Sequence, residues 1–299
     1  GNYLWISYFY SYLNETGRAG FVMASSATDS QSKDKTIREQ LVQTGDVDVM
    51  ISVGNNFFYT KSLPCSLWFF DKAKRAENKD KVLFIDARNY YTAVDRTRNE
   101  WSKWQMKNLN AIVWLHRGEV EKYRDLLKEY LRYFRTMKEY LIGKSAKRVF
   151  SAIDGIEDFE DMRDALLSEI EEEKRDCKEK LEKAEKKNKK HIQLMSDQYI
   201  ELLQHDLIVL NEAIWLTEKF GDGVYADVPG LCKVATRAEI AEKNYSLTPG
   251  AYVGVAPVED DGVDFEERMK EIHKELRSLQ AESNDLMDTI SQNMKEMGL

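Results

Sequence analysis

The side chains able to do chemistry are spread thinly along this chain. His116, His191, His205 and His273 fall on helical stretches without ligand spacing, and Cys65, Cys177 and Cys232 lie far apart with no CxxC pair. Neither set predicts a metal site, and an odd number of scattered cysteines points to a reducing compartment such as the cytoplasm. Ser25, Ser26 and Thr28 leave the carboxyl end of an apolar run, the edge where open α/β sheets take ligands. They are candidates to line a pocket, although hydroxyls placed there more often cap a following helix. Phe57 and Phe58 follow a Gly-Asn-Asn turn and precede the polar Tyr59-Thr60-Lys61. From the residues alone this pair is either a core anchor or an exposed rim. The Glu/Lys run over 171–190 reads as a solvated helix face whose lysine-rich tip could meet phosphate.

Positioning elements follow from periodicity. Leu4, Trp5, Tyr8, Phe9, Tyr12 and Leu13 recur every three or four residues and predict a largely buried helix over 2–14. The apolar run 19–24 predicts a buried strand of the parallel-sheet type, 33–44 a helix with Ile37 and Leu41 inward, and 47–53, 66–70 and 82–85 three more strands. This is one flank of an α/β sheet. Between Cys65 and Val228 there is no proline, and between Ile156 and Phe220 no glycine. One stripe (Phe159, Met162, Leu166, Ile170, Cys177, Leu181) and another (Ile192, Met195, Tyr199, Leu203, Leu210, Ile214) predict a long antiparallel hairpin, reversing near 186–190 and preceded by a helix over 119–142. Residues 221–258 read as compact and loop-rich. Phe265, Met269, Ile272, Leu276, Leu279, Ser283, Leu286, Ile290, Asn293 and Met297 then alternate by four and three, a coiled-coil seam with two polar interruptions, opened by a capping box of Asp264 and Glu267.

Composition sets outer limits. With 299 residues, 42% hydrophobic and 32% charged, the chain can bury a core, and no apolar run approaches the ~20 residues of a membrane span. The net charge of −8 is unusual for a protein that grips nucleic acid alone, since that affinity comes largely from neutralising phosphates. The opening Gly-Asn-Tyr-Leu-Trp reads as the start of an excised piece.

Four stretches in register carry a resemblance: residues 2–13 running into GRAGFVMASSA, SVGNNFFYTKSLPCSLWFFDK (52–72), LNAIVWLHRG (109–118), and VPGLCKVA with YSLTPGAYVGVAP (228–257). In order and spacing they resemble the modification subunit of type I restriction–modification systems, an adenine-N6 DNA methyltransferase, and specifically its C-terminal half. The resemblance implies an α/β plus all-α fold: the C-terminal flank of a Rossmann-like methyltransferase sheet, then long helices, then a coiled-coil helix. It divides the chain into 1–98 (end of the catalytic domain), 99–220 (helical domain), 221–263 (connector) and 264–299 (docking helix). It implies S-adenosylmethionine as cofactor, with double-stranded DNA, a specificity subunit, a second modification subunit and a restriction subunit as partners.

The family's essential Asn-Pro-Pro-Phe or Tyr and its glycine-containing cofactor motif are absent from this sequence. No catalytic residue is therefore carried over, and the piece alone is expected to be inactive. One residue is. The family's base-stacking aromatic aligns with Phe58, Phe57 being the neighbouring candidate, and Lys61 becomes a candidate contact to the DNA backbone. The seam from Phe265 to Ile290 becomes a docking surface for the specificity subunit. Two other readings compete: a non-catalytic helical module that docks a partner, and an unrelated helical scaffold.

Overall fold

In the computed structural model, residues 1–144, 155, 158–256 and 265–296 are described. Residues 1–256 form one compact unit and 257–299 a second. The first unit is built on a five-stranded mixed sheet of β1 (Arg18–Ala24), β2 (Val47–Val53), β3 (Cys65–Asp71), β4 (Lys81–Ala87) and β7 (Cys232–Thr236), in the order β1-β3-β2-β4-β7. Strands β2 and β4 run parallel, whereas β3 is antiparallel to both β1 and β2, and β7 is antiparallel to β4. A two-stranded ribbon, β5 (Thr92–Ala93) with β6 (Asn99–Glu100), follows β4.

The near-continuous apolar runs of β2 and β4 have a simple cause: both sheet faces are covered. Val49, Ile51, Leu83 and Ile85 point into a core shared with α3 (Lys103–His116), α4 (Val120–Lys144), α5 (Phe159–Lys183) and α6 (Lys186–Phe220). Met50, Val82 and Phe84 point the other way, against α1 (Asn2–Ser11), α2 (Lys33–Gln43) and the segment around α7 (Arg237–Glu242). Helix α3 starts sharply because Ser102 and Gln105 make a reciprocal capping box, at 3.1 and 3.0 Å.

Several elements depart from what periodicity predicts. Helix α1 buries only Tyr3 and Ile6; Leu4, Trp5, Tyr8, Phe9 and Tyr12 are exposed. Strand β1 is an edge strand whose residues alternate between exposed and half-buried. An apolar run therefore marked position in the sheet without marking burial. The hairpin of α5 and α6 is present, but the chain reverses at Ala184–Glu185, and the lysine-rich run opens α6. Of its stripes, Phe159, Met162, Leu166, Ile170, Cys177, Leu203, Leu210 and Ile214 are buried, whereas Met195 is exposed. Segment 221–256 supplies strand β7 as well as loops.

The second unit contains α8 (Phe265–Glu296). Asp264, Met297 and the side chains of Phe265 and Glu267 lie outside the described residues. Among the described residues no helix is long and apolar enough to cross a membrane.

Candidate functional site

At the carboxyl end of β2 the chain enters the loop 54–64. Gly54 must be glycine, because a Cβ there would lie 2.5 Å from the carbonyl oxygen of Arg88 at the end of β4. Asn56 adopts a positive φ of 66°, which asparagine tolerates better than most residues, and turns the chain outward. The turn is held from the β5–β6 ribbon. The Asn99 amide donates to Asn56 O at 2.8 Å, and Asn99 Nδ2 donates to Asn55 O at 3.0 Å.

This turn sends the two phenylalanines to different surroundings. The Phe57 ring packs against Trp101, with centroids 5.1 Å apart, and edge-on to Tyr91 at 6.1 Å. Phe58 is 41% exposed and lines an open, mainly apolar groove of about 400 Å³. Val22, Met23 and Ala24 of β1 form one side of it, and Lys61, Leu63 and Pro64 belong to the other. Cys65 also faces this groove, but burial raises its thiol pKa, which leaves it a poor nucleophile.

Phe58 and Lys61 are thus brought together. Ser25, Ser26 and Thr28 are not among the groove's lining residues. They form a 3₁₀ turn in which Thr28 is buried, its Oγ1 donating to Ser25 O at 2.7 Å and lying 2.7 Å from Thr248 Oγ1. Beneath them the fully buried Arg38 ties three segments together, donating to Tyr245 O (2.6 Å), Ser30 O (2.8 Å) and Tyr3 Oη (3.1 Å).

Sequence reasoning missed the supports of this site. Trp101 Nε1 donates to Tyr90 O at 2.7 Å, and the Tyr90 hydroxyl donates to the Glu212 carboxylate on α6. Asn108 of α3 donates to Glu212 O at 2.9 Å and accepts from the Tyr130 hydroxyl at 3.0 Å. Burial raises the Glu212 carboxyl pKa, so an otherwise costly group sits in a satisfied network. No periodic signal could have revealed these polar positions. The concentration of Tyr90, Tyr91, Trp101 and Trp104 in a short stretch was the available clue.

Among the described residues no group of three or more His, Cys, Asp or Glu side chains is placed to hold a metal ion.

Sequence comparison matches residues 1–128 to the N-6 DNA Methylase family. The likeness then extends through nearly the whole chain. Over 99% of its length it is 27% identical to the type I restriction enzyme MjaIX methylase subunit of Methanocaldococcus jannaschii, covering 35% of that relative. It is 22% identical, again over 99% of its length, to the HindI methylase subunit of Haemophilus influenzae, covering 44% of it. The chain is thus similar to methylase subunits of type I restriction enzymes, and it spans less than half the length of these two relatives. A type I methyltransferase subunit from Streptococcus thermophilus aligns over 38% of this chain and 23% of its own, at 20% identity and a TM-score of 0.35.

Proposed function

We propose that this chain is part of the modification subunit of a type I restriction–modification enzyme, methylating adenine N6 in double-stranded DNA with S-adenosylmethionine as donor. The similarity to type I methylase subunits along 99% of the chain is the observation that carries this reading. In it, the five-stranded sheet is the C-terminal flank of a Rossmann-like methyltransferase sheet, and β1 at the sheet's edge is where the rest of that sheet would pair.

Phe58 is the base-stacking residue. A base turned out of the duplex loses its stacking, and an aromatic face returns about 1–3 kcal/mol of it. The groove beside Phe58 accommodates a flat, largely apolar ring, and Lys61 at its edge suits the adjoining backbone. The groove does not fit the cofactor. It has no carboxylate to accept hydrogen bonds from ribose hydroxyls and no glycine-lined cradle, so no residue of this chain is assigned to S-adenosylmethionine. When bound, that cofactor supplies the methyl group. This chain's own contribution is to hold the extruded adenine and exclude water from one of its faces.

The seam of Phe265, Met269, Ile272, Leu276, Leu279, Leu286 and Ile290 on α8 is the docking surface for the specificity subunit. The assembly also contains a second modification subunit and a restriction subunit, and it works in the cytoplasm.

The test uses the complete subunit with its specificity subunit and a duplex carrying 2-aminopurine at the target adenine. Phe58→Ala should reduce the fluorescence rise on extrusion and slow methylation at least tenfold, leaving cofactor affinity nearly unchanged. Equal signals and rates for variant and wild type remove Phe58 from this role. Absence of adenine methylation by the wild-type assembly rejects the function.

A further inference from the structure

We propose that Arg98, on the ribbon that pins the Phe58 loop, is a contact for a backbone phosphodiester of the bound DNA strand. The inference rests on the reading of the Phe58 groove as a base subsite and adds to it a second ligand atom type and a residue.

Three observations carry it. First, Arg98 is half-buried and its guanidinium makes no hydrogen bond or ion pair among the described residues. Its Nε is withdrawn from solvent without a partner. That atom is closed off from an incoming ligand, so the terminal Nη groups are the ones left to meet an external acceptor. Asp95, the nearest carboxylate in sequence, is close enough to feel the Arg98 charge, but it accepts from the Thr97 amide at 2.7 Å and from Thr97 Oγ1 at 2.8 Å and makes no ion pair with Arg98. Glu100, two residues on, is not within ion-pair distance.

Second, the guanidinium carbon lies 5.6 Å from the centre of the Tyr59 ring. Tyr59 is 89% exposed and directly follows Phe58. A cation–π contact of this kind holds the guanidinium near the ring without using its terminal N–H groups, which remain free for an acceptor.

Third, the ribbon is not free to drift. Arg98 O accepts from the Val94 amide at 2.9 Å, and Asn99 holds Asn55 O and Asn56 O. The separation between Arg98 and the Phe58 loop is therefore set by backbone hydrogen bonds.

The chemistry narrows the ligand. A planar, permanently charged fork without an internal hydrogen bond or close ion pair matches an oxyanion with two acceptor oxygens. Within a chain of net charge −8, Arg96 in the turn of the same ribbon and Lys61 in the groove likewise have no ion pair among the described residues. Extruding a base rotates its nucleotide about the flanking phosphates, so a cation beside the stacking aromatic is placed where those phosphates must be held.

The experiment measures binding of a fluorescein-labelled DNA duplex by the complete methylase subunit with its specificity subunit, across a range of salt concentrations. Arg98→Gln should weaken binding about tenfold at moderate salt. It should also reduce the slope of log K against log salt by about 1, the signature of one lost phosphate contact. Arg98→Lys keeps the charge and should keep the slope, losing only part of the affinity. Arg124→Gln, removing an exposed arginine paired with Glu121 on α4, should change neither.

An unchanged slope for Arg98→Gln overturns the proposal, as does an Arg98→Lys variant that loses slope like Arg98→Gln, or an Arg124→Gln effect of equal size. Methylation by the wild type alongside an unchanged Arg98→Gln slope sinks this inference alone. A wild type that neither binds the duplex nor methylates it sinks the underlying reading as well.

Discussion

His116 ends α3 with its Nε2 buried and unpartnered, its ring edge-on to Tyr225. Around it lies a compact ionic group: Arg117 pairs with the buried Asp48, and Lys74 Nζ donates to Val47 O at 2.7 Å and Lys81 O at 2.5 Å. Burial pushes the Lys74 ammonium down to about 8 and the His116 imidazole to about 4. The histidine has the clearer consequence. Above pH 6.5 it is neutral in both folded and unfolded chains and contributes no pH dependence. As the pH falls from 6.5 towards about 4, the unfolded chain takes up a proton that the folded one refuses, so stability is lost across that window. The full shift would correspond to about 3 kcal/mol, and residual solvent contact should reduce this to ~1–2 kcal/mol. Glu212 and Asp206, whose carboxyl pKa values burial raises, act with the opposite sign, because acidification relieves their buried charge. The measurement is therefore the difference between wild type and His116→Gln in urea unfolding at a series of pH values. His116→Gln should gain on wild type as the pH drops through that window. Parallel curves would show that the imidazole titrates normally. None of this was legible beforehand. The sequence shows His116 only as a histidine in a helical stretch, and the charges of Asp48 and Lys74 that surround it are brought near by the fold alone.

At the scale of elements, the network of Tyr90, Asn108, Tyr130 and Glu212 joins the end of β4 to α3, α4 and α6. The Tyr90 ring also stacks on Trp215 at 4.3 Å, nearly parallel at 13°. Since Tyr90 O receives the Trp101 indole, and Trp101 packs on Phe57, the helical layer and the Phe58 loop share one support. Tyr90→Phe keeps the stacking but removes a donor from a buried carboxylate, which should cost about 1–3 kcal/mol. Faster hydrogen exchange at the Asn99 amide, which holds the loop, should accompany that loss. A change below about 0.5 kcal/mol in unfolding free energy would mean that Asn108 and Gln105 satisfy Glu212 without Tyr90. Periodicity made the helical half readable: α4, α5 and α6 carry stripes long enough to average out local exceptions. It could not show β5 and β6, two residues each, nor β7, a five-residue edge strand whose partner β4 lies far away in sequence. Strand β1 was found, but its exposure was not, because apolar runs look alike whether or not both faces are covered. For Phe58 the residues alone favoured an ordinary core anchor over an exposed rim. The resemblance favoured Phe58 over Phe57, and the packing of Phe57 on Trp101 supplies a physical reason for the choice.

For the whole molecule the decisive question is assembly, and α8 poses it. The helix carries apolar residues at four- and three-residue spacing, yet Leu276 is 59% exposed and Leu279 55%. An isolated helix gains little from propensity alone and must bury such a stripe to be worth forming in water. A narrow seam alternating by four and three fits the left-handed packing of helix on helix, and the polar interruptions Ser283 and Asn293 would favour one register over indiscriminate self-pairing. Our reading assigns that partner to helices of the specificity subunit. Replacing both Leu276 and Leu279 by Asp would place two charges in the buried seam, at a cost of several kcal/mol to the complex. The same residues are exposed in this chain, so the substitutions should leave its own unfolding transition within about 0.5 kcal/mol of wild type. Size-exclusion chromatography of the co-expressed subunits should then show the modification subunit eluting apart from the specificity subunit. A double variant that remains in complex would rule out the seam as the docking surface. One that separates only because the modification subunit itself has unfolded would show instead that the stripe is buried within its own chain.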